Sequence, residues 1–154
     1  MKGSFAIALI VISIPCLAQS PHKAQVFSST QIRSELHQLA QQGGAKGSSG
    51  STLADYGALA IKLSERTVSG AAEIHAHFDD VMLVTEGTAT LVTGGDLIDA
   101  HTVGDGEVAG SGIRNGISQS IVTGDVIHIP AGTPHQLLIA PGTTYSALVI
   151  KVKQ

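Results

Sequence analysis

Two short stretches of the sequence gather the side chains able to ligate a metal or move a proton. The first, EIHAHFDDVMLVTEG over residues 73–87, sets His75 and His77 two residues apart, with Glu73 before them and Asp79 and Asp80 after. Side chains at i and i+2 of a strand point to the same face. His75 and His77 are therefore expected to project together, about 7 Å apart along the backbone, with Glu73 on the same face. The second stretch, GDVIHIPAGTPH over residues 124–135, ends on His135. Two imidazoles on one face, with a third histidine from a separate strand–turn–strand unit, are how a β-sheet builds a metal pocket.

The elements that position these groups follow from the pattern around them. From residue 55 onward, short runs rich in Val, Ile, Leu and Thr recur between glycine-containing turns. Strands are expected over 58–64, 73–78, 81–85, 88–92, 121–123, 126–129, 136–139 and 145–152. Eight short strands in about 100 residues, with no helix between them, predict an all-β double-sheet jelly roll or small barrel. Ahead of it, Ser28, Ser29 or Thr30 can cap a short helix through about Gln42, with Ile32, Leu36 and Leu39 as its apolar stripe. Gly43-Gly44 ends that helix, and the run GGAKGSSGS is expected to be a flexible linker. The glycine-rich segment 93–118, which holds Asp96, Asp99, His101, Asp105 and Glu107, is expected to be a long solvated loop or a lid over a ligand.

Residues 1–18 have the marks of a cleaved secretory signal: Lys2, an apolar run over 5–14, and small residues before Gln19. That run is too short to span a bilayer, which needs about 20 residues. The expected organisation is a signal peptide at 1–18, a helix and linker at 19–54, and a barrel at 55–154. Cleavage removes Cys16, the single cysteine of the 154-residue chain. A mature domain in an oxidising compartment then has neither disulfides nor thiolate ligands, so nitrogen and oxygen must hold any metal. Loss of Lys2 leaves eight Lys and Arg against twelve Asp and Glu, a formal charge of −4. That acidity speaks against a nucleic-acid partner. The mature chain keeps Phe27, Tyr56, Phe78 and Tyr145 as its aromatic residues, which favours a small polar or aliphatic ligand over a stacked ring.

The second stretch reads Gly-x5-Pro-x-Gly-x2-His through Gly124, Pro130, Gly132 and His135. Gly124-Asp125 turns into a strand, Pro130 fixes φ as that strand ends, and Gly132 permits the bend back. This run resembles the second motif of the cupin superfamily without a gap, with Ile139 where an asparagine sometimes stands. The first stretch resembles the first cupin motif, Gly-x5-His-x-His-x3,4-Glu-x6-Gly. His75-x-His77 is intact, and Gly87 follows Asp80 by the family's carboxylate-to-glycine spacing. The carboxylate is aspartate, the gap from His77 is two residues, and Gly70 lies one residue closer to His75 than the motif has it. The resemblance covers about residues 58–152.

What the resemblance implies is a cupin-type double-stranded β-helix, a jelly-roll barrel, with a divalent metal (Fe, Mn, Zn, Ni or Cu) at its mouth. Carried across, the ligands would be His75, His77, Asp80 and His135, with Asp79 or Glu73 as alternative carboxylates. Such a centre would serve oxygenase, isomerase or lyase chemistry on a small oxygen-rich molecule in a secreted or periplasmic protein. The alternatives are a non-catalytic ligand-binding or structural cupin, and a metal-free barrel with its histidines hydrogen-bonded together. No general base stands out beyond the ligand set. His128 is expected in the core or at the rim, and His22, His37 and His101 at the surface. Arg114 is either a clamp for a carboxylate substrate or a solvated loop residue. A small-molecule ligand is the expected partner, with no stable membrane anchor, and dimerisation would cover the sheet edges.

Overall fold

The computed structural model describes residues 23–154. The expected signal at 1–18 and His22 lie outside the described residues. No helix among them is long and apolar enough to cross a membrane.

Helix α1 (Ser29–Gly43) starts where Ser28 Oγ accepts the Gln31 amide at 3.1 Å. It stops where Gly44 turns to a positive φ of 41°. Leu36 and Leu39 pack on Leu63, with Ile32, Leu53 and Leu148 around them, so the helix is tied to the outer face of the sheet. The expected linker is part of that sheet. Strand β1 (Ser48–Asp55) pairs antiparallel with β2 (Leu59–Arg66), from Ser48 opposite Arg66 to Asp55 opposite Ala60. A serine- and glycine-rich run has poor strand propensity. Its backbone groups nevertheless complete the free edge of β2, and its small side chains let the ladder close: a Cβ on Gly50 would meet the Leu63 carbonyl at 3.0 Å.

The remaining strands are β3 (Ala72–His75), β4 (Phe78–Thr93), β5 (Asp96–Ile98), β6 (His101–Gly104), β7 (Glu107–Gly110), β8 (Gly112–Arg114), β9 (Ile117–Val122), β10 (Val126–Ile129), β11 (His135–Leu138) and β12 (Tyr145–Lys153). The long strand β4 belongs to two sheets. Its first half pairs with β12 and β10, and its second half with β9 and β11. It changes sheets at Gly87, where φ is 80° and the register opposite Ser146 and Ala147 skips a residue. The expected strands 81–85 and 88–92 are thus one bent strand. The two sheets run β1-β2-β12-β4-β10 and β9-β4-β11-β3-β7-β6. Met82, Val84, Leu91, Ile121, Ile129, Tyr145 and Ala147 form the main core cluster of these two sheets.

Two further expectations change. The expected strand 73–78 is broken by a turn at Ala76 and His77, where the chain leaves one sheet for the other. There the Ala76 amide donates to the Gly106 carbonyl at 2.7 Å and the His77 carbonyl accepts from Gln154 at 2.9 Å. The segment 93–118 is built of short strands, β5 pairing with β8 and β6 with β7, and reverses direction at positive-φ residues such as Asp99, Gly106 and Asn115.

Candidate metal centre

Three adjacent strands of the second sheet carry the donors. His135 opens β11 and stands directly opposite Glu73 of β3, and His75 of β3 stands opposite Glu107 of β7. Residues opposite one another in an antiparallel pair share a face, and Glu73 and His75 are two apart. All four side chains therefore turn toward the interior together. The first sheet contributes Asp80 from β4, opposite Lys151 of β12.

The atoms converge. His75 Nε2 lies 3.7 Å from Glu73 Oε2 and 3.6 Å from Asp80 Oδ2. His135 Nε2 lies 4.0 Å from the same Asp80 oxygen. One ligand atom from each of Glu73, His75 and His135 falls within 4.8 Å of the others. The Nδ1 of His135 sits 3.0 Å from the Thr133 carbonyl. A carbonyl only accepts, so Nδ1 carries the proton and Nε2 keeps a lone pair facing the cluster. His75 is held likewise, its Nδ1 against the Glu107 carboxylate. Burial pushes the His135 pKa down, partly offset by the Thr133 carbonyl, which favours the neutral, ligating form. Lys151 Nζ is 2.8 Å from Asp80 Oδ1, leaving Oδ2 toward the histidines.

His77 stands apart from this cluster. It lies in the turn after β3 instead of on the strand, half exposed, its Nε2 3.9 Å from the exposed Asp105. The i and i+2 relationship with His75 fails because the strand ends at His75. Asp79 faces away: it accepts from His128 Nε2 at 3.0 Å and from the Ala131 amide at 2.8 Å. Those contacts, His128 first, hold its carboxyl below the usual aspartate range. His128 is an exposed rim residue. His101 is exposed with its Nδ1 on the Asp99 carbonyl, and Arg114 is exposed on β8. Glu107 had no local signal in the sequence, since only the β3–β7 register brings it to His75.

The cluster opens into a cleft of about 720 Å³. Along β2 the alternate residues Ala60, Lys62, Ser64 and Arg66 line it, as Asp80 and Met82 do from β4 and Val149 and Lys151 from β12. Two imidazole nitrogens and two carboxylates, with no thiolate, suit a borderline divalent ion such as Fe, Mn, Ni, Cu or Zn. The residues present fit a metal.

Solved structures with this architecture bear on what the barrel is. The cupin domain of Cnp3 from Schizosaccharomyces pombe superposes with a TM-score of 0.52 at 8% identity, covering 70% of this chain and 65% of that one. The chain has the cupin fold. A protein from Klebsiella pneumoniae with a double-stranded β-helix domain superposes with a TM-score of 0.59 at 14% identity, over 84% of this chain and 90% of that one. The polyketide cyclase RemF from Streptomyces resistomycificus is 26% identical, with a TM-score of 0.50, over 71% of this chain and 67% of its own. No protein-family model and no curated protein matches the sequence.

Proposed function

We propose that this cupin binds one divalent metal through His75, His135 and Glu73, with Asp80 as a fourth donor, and acts there on a small oxygen-rich molecule. The observation that carries the reading is the convergence of two histidine Nε2 atoms and a carboxylate from adjacent strands. Glu73 takes the role that the motif comparison assigned to His77. A bound divalent ion would supply Lewis acidity toward a ligand oxygen.

The rest falls to the chain's own side chains. Glu107 fixes the His75 ring so that Nε2 faces inward, and the Thr133 carbonyl does the same for His135. Lys151 holds Asp80 by one oxygen and offsets one of the clustered negative charges. The cleft has room for a small ligand beside the donors. Oxygenase, isomerase and lyase chemistry all suit such a site, and the polyketide cyclase neighbour supports an enzymatic role. A non-catalytic, ligand-binding role is the second reading. The Lys151–Asp80 ion pair favours it, because it ties up one oxygen of a prospective donor.

Secretion through cleavage of residues 1–18 belongs to the same proposal, supported by the sequence pattern alone. Elemental analysis of the purified protein tests the metal. About one divalent ion per chain is expected, lost in the His75→Ala/His135→Ala double variant and kept in His77→Ala. Equal metal content in wild type and the double variant would overturn the reading.

A further inference from the structure

The far end of the cleft holds a cation that no carboxylate among the described residues pairs with. Arg66, the last residue of β2, lines the cleft, and its Nε is buried with no hydrogen-bond partner. The ion pairs among the described residues engage Lys151 but not Arg66. A partly buried guanidinium without an anion is costly, and a carboxylate meeting its planar fork relieves that cost.

Its position is set by the backbone. Gly70 leaves room for it, since a Cβ there would stand 2.8 Å from the guanidinium. The Gly70 amide donates to the Leu137 carbonyl at 3.0 Å, and Leu137 lies two residues beyond His135 on β11. Two strand residues span roughly 7 Å. Tyr145, opposite Arg66 on β12, is fully buried.

We infer that Arg66 clamps a carboxylate of the ligand, so that the ligand is a small acid whose second oxygen group reaches the histidine cluster about two strand residues away. The inference rests on the metal reading for the ligand's other end and on Arg66 alone for this one. It chooses among the small oxygen-rich molecules the site would admit: those carrying an anionic group at one end and a coordinating oxygen at the other.

Calorimetric titration with glutarate, and with butyrate as the one-carboxylate comparator, tests it on wild type and Arg66→Met. Both proteins are titrated metal-loaded and metal-free. Glutarate is expected to bind metal-loaded wild type at least tenfold more tightly than butyrate, with that preference lost in Arg66→Met at unchanged metal content. Equal glutarate affinity in wild type and Arg66→Met, or no preference for glutarate over butyrate, overturns the clamp. Failure to take up metal counts instead against the metal centre, and the metal-free comparison of wild type with Arg66→Met then decides the clamp. Should Arg66→Met fail to fold, Arg66→Lys takes its place. It keeps the charge and loses the fork, and a weakening of threefold or more is expected, whereas unchanged affinity overturns the proposal.

Discussion

The rings of His75 and His135 face each other across adjacent strands, their centroids 5.2 Å apart and their planes tilted by 55°. Each ring is fixed from behind, one by a carboxylate and the other by a backbone carbonyl. Fixing Nδ1 commits Nε2 of both rings to the interior, where Glu73 and Asp80 wait. The pair is thus oriented before any ion arrives, which limits the ordering that binding would demand.

Glu107 should therefore matter without touching the ion. Glu107→Gln retains the shape of the side chain but removes its charge from behind His75. Metal affinity is expected to fall about 10- to 100-fold, read by competition with a chelator, while the circular dichroism spectrum stays as in wild type. Unchanged affinity would remove Glu107 from the account.

Glu65 offers a prediction remote from the cluster. It lies on the helix-facing side of β2, 2% exposed, with Oε1 lacking a hydrogen-bond partner. Burial, and then the Glu86 charge, raise its pKa above the ordinary 4.5. The folded state holds this proton more tightly than the unfolded chain does. The stability that proton confers is full below the unfolded value and is lost as pH rises through the raised one. Glu65→Gln is expected to raise the melting temperature at pH 7 and to flatten its dependence between about pH 4 and pH 7. A lower melting temperature at pH 7 would contradict this account.

Gly87 is where β4 crosses between sheets. A Cβ there would lie 1.8 Å from the Thr144 carbonyl oxygen at a φ of 80°, so both space and conformation demand glycine. Gly87→Ala is expected to destabilise the fold by about 3 kcal/mol or more, measured by urea unfolding. A loss under about 0.5 kcal/mol, the usual range for surface changes, would show that the bend relaxes easily.

Much of this was legible in the sequence, for identifiable reasons. Strand β10 and the turn into His135 follow from Pro130, which fixes its own φ, and from Gly124 and Gly132, which admit the positive φ of the flanking turns. Helix α1 begins at the serine cap its side chain can form. What escaped was set by partners distant in the chain. The run at β1 looks flexible until the edge of β2 is there to pair with it. His77 lies two residues from His75, yet the chain changes sheets between them, and period-two reasoning holds only inside a continuous strand. Glu73 and Glu107 reach the cluster through cross-strand register with His135 and His75, which no local pattern encodes.

The position of a bound ion distinguishes the His75–His135 cluster from the His77 turn. A crystal soaked in Mn or Zn and measured at the metal's absorption edge gives an anomalous difference map that answers directly. A single strong peak is expected about 2.0–2.3 Å from Nε2 of both His75 and His135, with a Glu73 or Asp80 oxygen at similar range. A peak beside His77 and Asp105, or none between the two inward-facing rings, would contradict it.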